Sequence, residues 1–62
     1  MELSEKILNL RKANNLTQEQ LAEEAGVTRQ AVSKWESGQS VPELDKIIAL
    51  CEIFHITTDS LL

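Results

Sequence analysis

The stretch that decides the fold runs from residue 17 to residue 38 and has the sequence TQEQLAEEAGVTRQAVSKWESG. Thr17 and Thr28 stand where helix N-caps are expected, because each follows an apolar residue and has another at its fourth helical position. Gln20 is placed to complete a capping box with Thr17. The stretch therefore predicts two helices that begin at these two threonines.

A short turn separates the two predicted helices. Gly26 and Gly38 should end them, because glycine takes up the positive φ of a helix C-terminus without strain. Only three or four residues lie between the helices, which is the length of a tight turn that joins helices at a steep angle. Ala22 is small where the first helix must let the second cross closely, and Val32 and Trp35 give the second helix an inward face.

Three further helices are predicted outside this stretch, and no segment alternates as a strand would. The first should run from Glu2 to Asn14, and a short last one should begin at Thr57. Residues 39–42 form a loop that leads into the fourth helix. That helix is expected to bury one stripe made of Leu44, Ile47, Ile48 and Cys51, with Leu50 and Phe54 beside it. The prediction is an all-α fold, a compact five-helix domain over residues 1–62.

Composition excludes several classes of protein. A chain of 62 residues forms at most one domain, and 42% apolar residues suit a compact helical one. The single cysteine, Cys51, excludes a disulfide-stapled secreted protein. No apolar run approaches the ~18 residues of a membrane span, and the acids Glu2 and Glu5 stand where a signal peptide needs basic residues. We expect a soluble, cytoplasmic protein that does not contact a membrane.

The outward face of the predicted third helix has the chemistry of a DNA-reading surface. It contains no acid and consists of Arg29, Gln30, Ser33, Lys34 and Ser37. Arginine can bond the two acceptors of guanine in a fork, and glutamine can bond adenine in the same way. A merely solvated helix of this acidic protein would be expected to carry glutamate here, as the second helix does.

Several segments together resemble the lambda-repressor-like, Xre-type helix-turn-helix family. They are residues 17–22, 26–30 and 33–38, the loop with Pro42, and the ending Ile56-Thr57-Thr58-Asp59-Ser60-Leu61-Leu62. The resemblance covers nearly the whole chain. It implies five helices with the third in the major groove, and sequence-specific binding of double-stranded DNA by a transcriptional regulator.

The resemblance also implies a set of DNA contacts. Gln18, at the start of the second helix, would contact a phosphate, and residues 37–40 would lie along a phosphate strand. The bases or the adjoining backbone would be contacted from the third helix. The complete expected set is Gln18, Thr28, Arg29, Gln30, Ser33, Lys34, Ser37, Gln39 and Ser40. Many family members carry basic residues in the loop over residues 39–41, and this chain has none.

The net charge of −4 has the wrong sign for a nucleic-acid binder. Most acids, however, lie in the predicted first, fourth and fifth helices. If Glu36 is set against Arg11, residues 28–38 present a charge of +2. We therefore expect a polarised molecule with a weak basic face and poor non-specific binding.

Two residues allow two interpretations each. Arg11 ends the first helix and could bind a phosphate, but DNA would repel Glu36 unless a cation neutralised it, and the resemblance implies a buried Arg11–Glu36 ion pair. Trp35 could stack on bases, but its spacing from Val32 favours packing against the core. We favour the ion pair and the packing role.

Catalysis and cofactor binding have no candidate residues. Cys51 lies on an apolar stripe and is expected to be a buried thiol, and His55 stands alone at a helix end. The sequence contains neither a nucleophile–base–acid set nor a glycine-rich phosphate loop. We expect a non-enzyme without cofactor, metal or small-molecule substrate.

The favoured function is binding of a two-fold symmetric operator by a homodimer. The alternative is a protein-interaction module, such as an antitoxin or a sensor subunit built on the same fold. Salt-sensitive binding of a DNA duplex by the domain alone would separate the two. Because Leu61 and Leu62 end the chain on apolar residues, a longer parent protein is a further expectation.

Overall fold

Five helices make up residues 2–61, the part of the chain described by the computed structural model, and there is no strand among these residues. Their bounds are α1 Leu3–Ala13, α2 Gln18–Ala25, α3 Arg29–Ser37, α4 Leu44–Phe54 and α5 Thr58–Leu61. The predicted all-α, five-helix fold is confirmed. Leu62, the last residue of the family-like ending, lies outside the described residues.

The predicted helix starts of α2 and α3 are formed by their threonines. Thr17 Oγ1 accepts from the Gln20 backbone N at 3.1 Å, and Gln20 Oε1 accepts from the Thr17 backbone N at 2.9 Å, which completes the capping box. Thr28 Oγ1 accepts from the Ala31 backbone N at 3.2 Å. Because these bonds satisfy amides that the helix itself leaves free, they fix where α2 and α3 begin.

Four left-handed residues end the helices or follow their ends. Gly26 ends α2 with φ 73° and Gly38 ends α3 with φ 82°, as predicted. Asn15 follows α1 with φ 59°, and His55 ends α4 with φ 58°. Asparagine tolerates this region, whereas the Cβ of His55 is strained there by about 1–2 kcal/mol.

A single apolar core lies where the helices meet. It comprises Ile7, Leu21, Ala22, Val32, Trp35, Ile47, Leu50, Cys51, Phe54 and Leu61. The burial of Cys51 and the packing role of Trp35, which is 5% exposed, are therefore confirmed. Trp35 is not available to stack on bases.

The predicted core stripe of α4 is partly wrong. Leu44 and Ile48 are 68% and 48% exposed, and the buried face is instead Ile47, Leu50, Cys51 and Phe54. Both sets have helical i, i+3, i+4, i+7 spacing, so the apolar surface of α4 is wide enough for two overlapping stripes. Packing of α4 against α2 and α5 selects the second stripe.

Candidate nucleic-acid interface

The helix-turn-helix unit is built by α2 and α3, which pack against each other. The backbone N of Val27 donates to the carbonyl of Ala22 at 2.9 Å, so the turn closes directly onto α2. Ala22 is 3% exposed and Val32 is fully buried, as the predicted close crossing requires. The burial of Val32 and Trp35 turns the opposite side of α3 to the surface.

Most of the predicted contact residues lie on this surface. Seven are exposed, namely Thr28, Arg29, Gln30, Lys34, Ser37, Gln39 and Ser40. Gln18 and Ser33 are half-buried. The fold therefore brings the polar face of α3, the start of α2 and the loop after α3 to the outside of the domain.

A part-buried ion pair joins α3 to α1. Arg11 Nε donates to Glu36 Oε2 at 2.6 Å, and Arg11 Nη2 donates to Glu36 Oε1 at 3.3 Å. The two side chains are only 13% and 6% exposed. Arg11 Nη1 donates to the carbonyl of Leu16 at 2.8 Å, so the guanidinium also holds the α1–α2 connection. The expected pair is formed, and each guanidinium nitrogen has a partner within the domain, which disfavours the phosphate-ligand interpretation.

Gln18 links this pair to the surface. Its Nε2 donates to Glu36 Oε1 at 3.0 Å, and its Oε1 accepts from Arg29 Nη1 at 3.5 Å. A continuous chain of polar contacts thus runs from part-buried Arg11 through Glu36 and Gln18 to exposed Arg29. Sequence reasoning missed that Gln18 contacts Glu36 and Arg29. The one feature of the sequence that pointed to these contacts was Glu36, because a carboxylate on the inner side of α3 needs more than one hydrogen-bond donor.

The loop after α3 folds back on the end of that helix. The carbonyl of Lys34 accepts from the backbone N of Gln39 at 3.0 Å, from the backbone N of Ser40 at 3.3 Å and from Ser37 Oγ at 3.2 Å. These two amides are therefore occupied within the domain. At these two residues a phosphate would be bound by the side chains of Gln39 and Ser40.

The charge of the surface is weakly positive. Arg29 and Lys34 are its cations, and Glu36, the acid of α3, is buried against Arg11. The exposed acids of α2 are Glu19, Glu23 and Glu24. In residues 2–61 no cluster of three His, Cys, Asp or Glu side chains is placed to hold a metal ion. What the surface offers is a row of hydrogen-bond donors and acceptors with two positive charges.

Comparison with known proteins identifies the family. A family model described as helix-turn-helix matches residues 7–61. The chain belongs to the lambda-repressor-like, Xre-type helix-turn-helix family. This is a family of DNA-binding regulators rather than of enzymes. None of the helices among the described residues is long and apolar enough to span a membrane.

Two regulators illustrate the sequence relationship. The transcriptional activator BcrR of Enterococcus faecalis is 48% identical over 62 residues, which is all of this chain and 30% of BcrR. The CTXphi transcriptional repressor RstR of Vibrio cholerae is 34% identical over 61 residues, 98% of this chain and 54% of RstR. The chain thus spans about a third to a half of these relatives.

Two solved structures share the fold. The P22 c2 repressor, crystallised with a synthetic operator, superposes with a TM-score of 0.94 at 29% identity, covering 100% of this chain and 94% of that one. The restriction-modification controller protein C.AhdI of Aeromonas hydrophila gives 0.89 at 32% identity, with 97% and 91% coverage. The arrangement of all five helices is that of this family.

Proposed function

We propose that this chain is the domain by which a cytoplasmic transcriptional regulator binds double-stranded DNA in a sequence-specific manner, with α3 in the major groove. One observation carries the proposal. Arg29, Gln30 and Lys34 are exposed on α3. Glu36, the acid of the same helix, is paired with Arg11 of α1. The surface that remains has the donors and acceptors that distinguish base pairs.

The residues divide into two roles. Arg29 and Gln30 stand at the N-terminal end of α3, the end from which recognition helices contact base edges, and Lys34 lies one turn further along. Thr28, Ser33 and Ser37 border the same face, and Gln18, Gln39 and Ser40 contact phosphates. Contacts to phosphates position the domain, and contacts to bases select the sequence.

The operator is two-fold symmetric and is bound by two copies of the chain. A domain with two cations on its DNA-facing surface gains little from phosphate attraction, so a single copy binds poorly and a second half-site adds the missing affinity. The half-site centres then lie about 34 Å apart, one turn of DNA. The solved P22 c2 repressor structure with its operator supports the DNA partner by analogy.

Selection of bound sites from a random duplex pool tests the proposal. We expect a symmetric consensus, and titration of the selected duplex should give binding that weakens with salt. Failure to bind any duplex at low salt, together with tight binding of a protein partner, would instead favour the interaction module.

A further inference from the structure

Gln18 lies between a part-buried acid and an exposed cation. Its Nε2 donates to Glu36 Oε1 at 3.0 Å, and its Oε1 accepts from Arg29 Nη1 at 3.5 Å. An amide has one donating end and one accepting end, so its two neighbours must differ in hydrogen-bonding character. Glu36 and Arg29 meet this requirement, because a carboxylate only accepts and a guanidinium only donates.

The direction of the Gln18 amide is set from inside the domain. The Glu36 carboxylate accepts from Arg11 Nε at 2.6 Å and from Arg11 Nη2 at 3.3 Å, and its side chain is only 6% exposed. A carboxylate held in this way takes the amide nitrogen of Gln18 and leaves the amide oxygen towards position 29. The side chain at position 29 therefore meets an acceptor, and only a donor can be held there.

We propose that Glu36 and Gln18 are positioning residues that direct the guanidinium of Arg29 to a guanine base. One N–H of Nη1 faces Gln18, and the other N–H groups stay available for N7 and O6, the two acceptors of guanine in the major groove. Adenine has an amino group in place of O6, which gives a guanidinium no second acceptor. This inference rests on the proposed function and deepens it, because it extends base recognition inward to Glu36.

The Gln18–Arg29 contact is long, so it directs Arg29 without immobilising it. Arg29 is exposed, and an exposed arginine loses rotamer freedom when it binds a base. A neighbour that restricts the side chain before binding lowers this cost. The second hydrogen of Gln18 Nε2 remains for the proposed phosphate contact. Positioning of Arg29 and phosphate binding are therefore compatible in one side chain.

The test replaces Gln18 with a side chain that only donates. In Gln18→Lys, the ammonium can donate to Glu36 and can bind the phosphate, but Arg29 loses its acceptor. We expect this variant to bind unselected duplexes at least as tightly as the parent chain, while its preference for guanine at one base pair of each half-site falls about tenfold. Glu23→Gln is the matched control. It changes the net charge by the same amount on the exposed part of α2 and should keep the guanine preference.

A second measurement is made without DNA. Nitrogen-15 relaxation of Arg29 Nε reports how far this side chain is restricted, and we expect it to be more restricted in the parent chain than in Gln18→Lys. Glu36→Gln should release it as well, because an amide at position 36 can offer its nitrogen to Gln18 and so reverse the Gln18 amide. The Nε signal of Arg11 shows in the same spectrum whether Glu36→Gln is folded. If it is not, Gln18→Lys, which keeps the ion pair, decides the question.

Two results would overturn the inference. One is a Gln18→Lys variant that keeps the full preference for guanine, which would leave Gln18 as a phosphate contact only. The other is equal mobility of Arg29 Nε in the parent chain and in the folded variants. If the parent chain binds no duplex at all, the proposed function fails, while the relaxation measurement still decides whether Gln18 and Glu36 restrict Arg29.

Discussion

The guanidinium of Arg11 donates to both carboxylate oxygens of Glu36, at 2.6 and 3.3 Å, across the contact between α1 and α3. The pair holds α3 against α1 and turns the acid of α3 away from the proposed DNA surface. Because Arg11 also donates to the carbonyl of Leu16, one side chain fixes α3 and the start of α2 together. The packing of α3 and the shape of the proposed DNA surface therefore depend on the same contact.

Removing one member of this pair should be strongly destabilising. Breaking a fully buried ion pair costs about 3–5 kcal/mol, and this pair, with side chains 13% and 6% exposed, should approach the lower end of that range. A domain of this size has about that much stability in total, so Arg11→Ala should be largely unfolded in a urea titration. Arg11→Met/Glu36→Leu should be far less harmful than the sum of the two single changes, since no buried charge remains. A double-mutant cycle with near-zero coupling would contradict this prediction.

Gly26 is required for its backbone conformation rather than for space. An added Cβ would have Lys46 Nζ at 4.0 Å as its nearest neighbour, which is ordinary contact, but φ is 73°. We expect Gly26→Val to lower the free energy of unfolding by about 1–2 kcal/mol through strain alone. Gly26→Asn is the matched comparison and should lose less, because asparagine tolerates this region. Equal losses from both variants in chemical denaturation would point to a clash instead of strain.

At His55, unlike at Gly26, introducing glycine should stabilise the fold. It is exposed and ends α4 at φ 58°, so His55→Gly should relieve strain of about 1–2 kcal/mol. Glycine also makes the unfolded chain more flexible, which offsets about 0.4–1 kcal/mol. The net expectation is a gain of about 0.5–1 kcal/mol, visible as a higher melting temperature. Glu52→Gly, within the same helix, should lose about 1 kcal/mol, and a loss from both variants would show that the left-handed position is not strained.

Local signals made most of the fold predictable. The threonine caps and the glycine ends lie within a few residues of one another, and their geometry depends on backbone chemistry that a sequence displays directly. That is why the bounds of α2 and α3 were predicted to within a residue. α1 was also predicted, although it ends at Asn14 and Asn15 without a glycine.

Two features depended on tertiary packing and escaped prediction. The apolar surface of α4 admits two stripes, and only the positions of α2 and α5 decide that Leu44 and Ile48 remain outside. Likewise, Gln18 contacts Glu36, which is 18 positions away in the chain, and Arg29, which is 11 positions away. No local pattern reports such distances, so the resemblance implied a phosphate contact for Gln18 but not its role within the domain.

The salt dependence of DNA binding should be shallow. Arg29 and Lys34 are the cations of the proposed contact set, and each phosphate neutralised by a cation contributes about −0.9 to the slope of log K against log salt. We expect a slope no steeper than about −2 per domain, or about −4 for two copies on an operator, the values reached when both cations neutralise a phosphate. Gln39→Lys should steepen the slope by about 1 per domain. Glu24→Gln changes the net charge by the same amount but lies away from the proposed DNA surface, so it should leave the slope unchanged. A steep slope for the parent chain would reveal further phosphate contacts.

The division between base and phosphate contacts can be measured on selected operators. Arg29→Ala and Gln30→Ala should each flatten the preference at one or two base pairs of a half-site, because a bidentate pair contributes about 1–3 kcal/mol of discrimination. Ser40→Ala should weaken all sequences about equally, since phosphates carry no sequence information. Gln18→Ala is expected to do both, because it removes a phosphate contact and frees Arg29 from its neighbour. Its effect and that of Arg29→Ala should therefore be non-additive. Identical, sequence-blind losses from Arg29→Ala and Ser40→Ala would place Arg29 on the phosphate backbone and remove it from base recognition.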